Sequence, residues 1–200
     1  LPMAAGLMVL ARPMVSFLYG GGEFDEFSVS ITSEALVWVS LGMVGYGLQN
    51  ILSRAYFARQ DGRTPLVAGG VSILANILLC MVLTEPMGVA GLAIASTVSS
   101  TLYAVLLLVP MELRGEGILS GRFGTDFLKM LMSAAGMTAV VWLARNSLSA
   151  LLPAGKAGEL LLLGACAVLG AAVYFLLAGL MRLEEMMLAR DLMKRILKRG

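Results

Sequence analysis

The 200-residue sequence contains no histidine. That excludes Ser-His-Asp and Cys-His catalysis, because both need an imidazole to carry the proton. Charge is scarce as well. Asp, Glu, Lys and Arg make up 14% of the chain, against about 25% in a soluble domain. There are two cysteines, Cys80 and Cys166, each inside an apolar run. Neither has a ligand-type neighbour at metal-site spacing, so both read as small buried hydrophobes. No Gly-rich loop ends in Gly-Lys-Ser or Gly-Lys-Thr, the pattern that cradles phosphates. Gly42, Gly45 and Gly47 lie in mid-segment and cannot form a dinucleotide turn. A net charge of +2 leaves no footprint for nucleic acid or another polyanion.

What is present is hydrocarbon. The chain is 58% apolar with a mean hydropathy of +0.86. A soluble domain of about 150 residues still exposes about a third of its surface, so water could not tolerate this composition. An all-α integral membrane protein is expected. The start, Leu1-Pro2, is already apolar and has no basic segment or cleavage site of a signal peptide. We therefore expect the sequence to begin inside or at the edge of a span.

A span needs about 20 mostly apolar residues. Six stretches qualify: 1–19, 31–57, 65–84, 88–111, 127–144 and 159–181. The expected connectors are a Gly-rich acidic loop before residue 31, the polar stretch 59–64, a tight turn at Glu85-Pro86, and loops over 112–126 and 146–158. No ten-residue alternation suggests a barrel, and helices otherwise satisfy the backbone in lipid.

With six spans, alternate connectors fall on opposite sides. Arg54, Arg59 and Arg63 share one side with Arg114, Arg122 and Lys129. The segment after residue 181 adds six more, so twelve of fifteen basic residues lie on one side. Arg145 and Lys156 lie on the other, and Arg12 falls within the first span. The basic side is expected to be cytoplasmic, as is the C-terminus. From Arg182 to Arg199, Leu183, Met186, Met187, Met193, Ile196 and Leu197 recur at helical spacing. This predicts an amphipathic helix on the cytoplasmic membrane surface.

Polar groups inside spans are costly and are therefore candidates for function. Arg12 precedes Pro13; it either faces a polar cavity or reaches to an interface. The second span carries Gln49, Asn50 and Arg54 beside Gly42, Gly45 and Gly47, so it either lines a cavity or packs closely. Asn76 stands alone in the third span. Gly91, Ala95 and Ser99 form a small-residue stripe in the fourth, a pattern of helix packing. Asn76 and Ser96 are the weak alternative, oxygens for a cation. No catalytic residues and no metal site are expected.

The stretch Arg54-Ala55-Tyr56-Phe57-Ala58-Arg59-Gln60-Asp61-Gly62-Arg63-Thr64-Pro65 resembles the signature of the MurJ/MviN lipid II flippases, within the MOP transporter superfamily. That signature runs R-x-F-Y-A-x-x-D-x-x-T-P; here the aromatic pair is inverted to Tyr56-Phe57. Leu1-Pro2 through Pro13 to Gly22-Glu23-Phe24, and Gly91-Leu92-Ala93-Ile94-Ala95-Ser96-Thr97, resemble two further segments of the family.

The resemblance implies the C-terminal part of a fourteen-span, alternating-access flippase in the bacterial inner membrane. It implies that 1–112 are four helices of a MATE/MOP-like transporter lobe, that 113–181 are the final helix pair forming a lipid-tail groove, and that 182–200 are the tail. The substrate would be undecaprenyl-pyrophosphate-linked peptidoglycan precursor. Arg12, Gln49, Asn50, Arg54, Arg59 and Arg63 are the substrate-binding candidates. Tyr56, Phe57, Ala58, Asp61, Thr64 and Pro65 form the signature loop, with Asp61 and Thr64 placed to cap the helix that Pro65 opens.

The implied partners are membrane lipid, the N-terminal lobe and cell-wall synthesis proteins, with no organic cofactor. A coupling ion, sodium or a proton, is implied for some members. In these an Asn, an Asp and a Thr would correspond to Asn76, Cys80 and Ser96, so this chain lacks the carboxylate. Alternative readings are a flippase or exporter of another lipid-linked glycan, and a non-transporting scaffold for cell-wall enzymes.

Overall fold

The computed structural model describes residues 1–20, 24–113, 121–151 and 156–180. The expected tail helix over 182–200 lies outside them. Apart from one isolated bridge residue, Phe24, the regular structure described is helical. The helices are α1 (Pro2–Tyr19), α2 (Glu26–Ala58), α3 (Arg63–Leu113), α4 (Gly121–Leu151) and α5 (Lys156–Leu180). All five are long and apolar enough to cross a membrane. Helices α1 to α3 belong to one compact unit and α4 with α5 to a second.

Helix α1 runs through Pro13 without a break. Helix α2 starts where Asp25 accepts the Ser28 N–H at 2.8 Å. That backbone hydrogen bond holds the Asp25 carboxyl below its usual range, so the cap stays charged and accepting at neutral pH.

Helix α3 has 51 residues. At about 1.5 Å per residue it would be about 77 Å long, far more than the hydrocarbon core of about 30 Å. It is in fact a hairpin. Gly88 has φ 56° and ψ −129°, outside the helical region, a backbone that glycine adopts without steric cost. The arms 63–87 and 89–113 fold back on each other: Tyr103 Oη donates to the Pro65 carbonyl at 3.3 Å. The reversal therefore falls at Gly88 rather than at Glu85-Pro86, which remain helical. At the tip the arms nearly touch. A Cβ on Gly91 would collide with the Leu83 carbonyl oxygen and lie 2.6 Å from its carbon.

Helix α2 packs along the hairpin through small residues. A Cβ on Gly42 would sit 2.8 Å from Thr97 Oγ1, and one on Gly45 would sit 3.0 Å from the Thr101 nitrogen. Across this seam Thr97 Oγ1 donates to the Trp38 carbonyl at 2.6 Å. Lipid tails offer helices no hydrophobic reason to associate, so close backbone approach and interhelical hydrogen bonds carry the packing. Further along, Leu52, Tyr56, Ala68, Leu107 and Met111 form a buried core joining α2 to both arms.

In the second unit α4 and α5 pair. Gly170 faces Val141 and Gly136 faces Leu177, with Met137, Val141, Leu162 and Cys166 buried. Both helices extend into segments expected as loops, 121–126 and 146–151 for α4 and 156–158 for α5. A helix ends at a cap, not where its apolar stretch ends. Cys80 and Cys166 are free thiols.

Candidate functional site: the α2–α3 turn and the cavity of the hairpin

The signature residues build the turn between α2 and α3. Helix α2 closes with a Schellman arrangement. Gln60 N–H donates to the Phe57 carbonyl and Asp61 N–H to the Tyr56 carbonyl, each at 3.0 Å. Gln60 takes the left-handed conformation, φ 59°. Asp61 then caps α3: Oδ1 accepts the Thr64 N–H at 3.1 Å and Oδ2 accepts the Thr64 hydroxyl at 2.8 Å. Pro65 sits buried in the first turn, where a missing N–H costs nothing.

Tyr56 anchors the turn. Its side chain is 1% exposed, and its hydroxyl donates to the Leu107 carbonyl at 2.9 Å. Phe57 points out, 59% exposed. The inverted aromatic pair therefore divides into one structural ring and one outward ring. Removing the hydroxyl (Tyr56→Phe) is expected to cost about 1 kcal/mol. Tyr56→Ala is expected to cost about 3–5 kcal/mol through the cavity it leaves. Thermal unfolding of the purified protein in detergent checks both; an unchanged midpoint for Tyr56→Ala contradicts the anchoring role.

Around this anchored turn Arg54, Arg59 and Arg63 are all exposed. Arg63 and Thr64 edge an otherwise apolar cavity of about 350 Å³ between the hairpin arms, walled by Val67, Val71, Leu106 and Pro110. The structure thus brings three of the candidate arginines to one end of the unit.

The other candidates separate. Arg12 is not at this end. It pairs with Glu26, Nη2 to Oε2 at 2.9 Å, the side chains being 61% and 87% exposed. Glu26 opens the 33-residue helix α2 and Ala58 closes it, about 48 Å away at 1.5 Å per residue. So exposed a pair is worth at most about 1 kcal/mol. Asn50 turns back on its own helix, Nδ2 donating to the Tyr46 carbonyl at 2.8 Å.

Gln49 instead lines a second cavity, of about 360 Å³, between α2 and the hairpin arms. Tyr46 stands beside it on α2; Ser72 and Asn76 come from the first arm, and Ser96, Ser99, Ser100 and Tyr103 from the second. Asn76 and Ser96 thus face one space. Their surroundings suit a cation poorly: none of the ten lining residues is a carboxylate, and the Cys80 thiol donates to Asn76 Oδ1 at 3.7 Å. A buried cation without a counter-charge is strongly disfavoured.

Lining residues that escaped the sequence reading include Ser72 and Tyr103, and the cavity-facing role of Ser99 was missed as well. The hydroxyls of Ser72 and Ser99 are buried with no hydrogen-bond partner. The available signal was the spacing of Gly69, Ser72, Ile73 and Asn76, one face of a helix. The serine cluster after Ser96 divides: Thr97 bonds α2, while Ser96, Ser99 and Ser100 face the cavity.

The family model for lipid II flippase MurJ matches residues 1–164. The chain belongs to the MurJ family. It is 34% identical over 143 residues to a probable lipid II flippase MurJ of Vibrio cholerae, covering 71% of this chain and 27% of that protein. It is 30% identical over 200 residues to a probable lipid II flippase MurJ of Thermotoga maritima, covering all of this chain and 37% of that protein. A solved lipid II flippase MurJ in an inward closed conformation superposes with a TM-score of 0.73 at 25% identity, over 96% of this chain and 36% of that one. The chain thus spans about a third of the length of these relatives. Its MurJ relatives are transporters by name, not enzymes. Family and helices together make this a multi-pass inner-membrane protein.

Proposed function

We propose that the chain is the C-terminal part of a lipid II flippase, which carries undecaprenyl-pyrophosphate-linked peptidoglycan precursor from the inner to the outer leaflet by alternating access. The observation that carries this is the match to the MurJ family model over residues 1–164, which includes the arginine-bearing turn.

Each arm of the α3 hairpin counts as a span in this reading, giving six. The α2–α3 turn and the tail then lie on the same, cytoplasmic side, as their shared basic charge supports. Arg54, Arg59 and Arg63 meet the pyrophosphate there. Guanidinium forks match phosphate oxygens in a way that ammonium groups do not. The paired α4 and α5 offer an apolar flank for the polyprenyl tail.

The test is the leaflet distribution of the precursor in cells depleted of the full-length protein. Retention in the inner leaflet is expected, and normal outer-leaflet delivery contradicts the proposal.

A further inference from the structure

The cavity between the hairpin arms carries a cation at its mouth and hydrocarbon behind it. Arg63, Val67 and Val71 stand at four-residue spacing on the first arm, and Leu106 and Pro110 do so on the second, so each set lies on one helix face. Along the first arm the wall passes from guanidinium to aliphatic side chain within one turn and stays aliphatic for a second, about 12 Å in all. These groups can be reached from outside. Arg63 is exposed, and Val67 and Val71 are 66% and 45% exposed. The other polar residue of the wall is Thr64, and it is already engaged. Its N–H and its hydroxyl both donate to Asp61. Of the lining side chains, that leaves Arg63 to receive the polar end of a ligand.

Such a wall fits an amphiphile whose hydrocarbon begins directly at its anionic group. A guanidinium fork pairs with phosphate oxygens, and the next turn offers nothing to a polar linker. A phospholipid places glycerol and ester carbonyls between its phosphate and its acyl chains. Those carbonyls find no donor beyond Arg63, since the Thr64 hydroxyl is spent on Asp61. A polyprenyl pyrophosphate has no such linker, because its first isoprene unit is bonded to the phosphate oxygen. Contact with hydrocarbon gives no net gain in a bilayer, where lipid tails are equally apolar. The gain is tethering. Once the arginines hold the pyrophosphate, its stem is kept at high effective concentration at the cavity mouth, and a free lipid is not. The volume of about 350 Å³ lies at the small end of ligand sites, about 300–1,000 Å³, so the first units of the chain are accommodated and not the whole.

We infer that this cavity seats the first isoprene units of the lipid-linked substrate, with Arg63 on its pyrophosphate and Val67, Val71, Leu106 and Pro110 on its stem. The inference rests on the flippase reading above and adds to it the point at which the tail leaves the head group.

The test uses the full-length protein in phosphatidylcholine nanodiscs and an undecaprenyl pyrophosphate carrying a diazirine on its first isoprene unit. After irradiation the label is mapped by peptide mass spectrometry. It is expected on the segments that hold Val67 with Val71 and Leu106 with Pro110. Unmodified undecaprenyl pyrophosphate should displace it, and phosphatidylglycerol should not. Val67→Trp/Val71→Trp fills the cavity and is expected to lose the label at Leu106 and Pro110. Leu78→Trp, at a position 64% exposed on the same arm and outside the cavity, should keep it. If the double variant melts early, the labelling pattern of the native protein decides alone. Label confined to other parts of the protein, label that survives in a folded double variant, or displacement by phosphatidylglycerol overturns the inference and leaves the flippase reading standing. A native protein that takes up no label anywhere overturns both.

Discussion

Gly91→Val is expected to prevent the α3 hairpin from closing, at a cost above about 3 kcal/mol. Overpacking ordinarily costs about 1–3 kcal/mol because flexible neighbours give way. Here the neighbour is backbone. The first carbon of the new side chain already collides with the Leu83 carbonyl, and that carbonyl is fixed within the helix that Gly88 turns back. Relief would need the tip to open, which would pull apart the Tyr103–Pro65 contact and the core around Tyr56. Against total stabilities of about 5–15 kcal/mol, the variant should accumulate poorly and melt well below the native protein. Gly70→Ala is the control. It lies on the other arm of the hairpin with nothing within 4 Å of its added Cβ, so it should be neutral or slightly stabilising, as alanine is in helices. If the two variants melt alike, the close approach at the tip is wrong.

Replacing Arg54, Arg59 and Arg63 together by alanine is expected to abolish growth when the full-length variant is the cell's only copy, with membrane levels maintained. All three side chains are exposed, and exposed substitutions usually change stability by less than about 0.5 kcal/mol. Hydrogen bonds to charged groups are worth about 1.5–3 kcal/mol each, so three lost phosphate contacts would weaken capture by more than a hundred-fold. The same arginines also set topology under the positive-inside rule, and the triple lysine variant separates the two roles. Lysine keeps the positive charge and the orientation but lacks the fork. Partial growth with lysine is expected. Full growth with both triple variants contradicts phosphate binding at this turn.

The parts of this architecture that could be read from the sequence are those governed by neighbours in the chain. Asp61, Thr64 and Pro65 announce a capped helix start because capping acts over three residues, and the bonds from Thr64 to Asp61 are of that kind. The left-handed residue ending α2 left no such mark. It is Gln60, although Gly62 stands two positions on. The reversal at Gly88 was displaced from the expected Glu85-Pro86 because a helix end admits proline, whereas φ 56° with ψ −129° calls for glycine.

The cavity shows why the site was only half legible. Asn76 and Gln49 attract notice as amides in apolar runs. Ser72 and Ser99 do not, since a lone serine in a span reads equally as a packing residue. Only the antiparallel fold of the two arms brings them to one space, and that pairing is not encoded in either arm alone. Arg12 illustrates the converse. A charge in a span left a polar cavity and an interface both open, and α1 places it, exposed, beside Glu26, at the opposite end of α2 from the other arginines.

The central claim, that this chain serves translocation of a lipid-linked precursor, is tested most directly by probing which leaflet holds that precursor. Cells depleted of the full-length protein would be treated from outside with a hydrolase that cleaves only outer-leaflet lipid II, and the cleaved fraction would be measured. The account predicts that this fraction collapses while total lipid II rises, and that it recovers when the native protein is restored but not the Arg54→Ala/Arg59→Ala/Arg63→Ala variant. An unchanged cleaved fraction after depletion would contradict it.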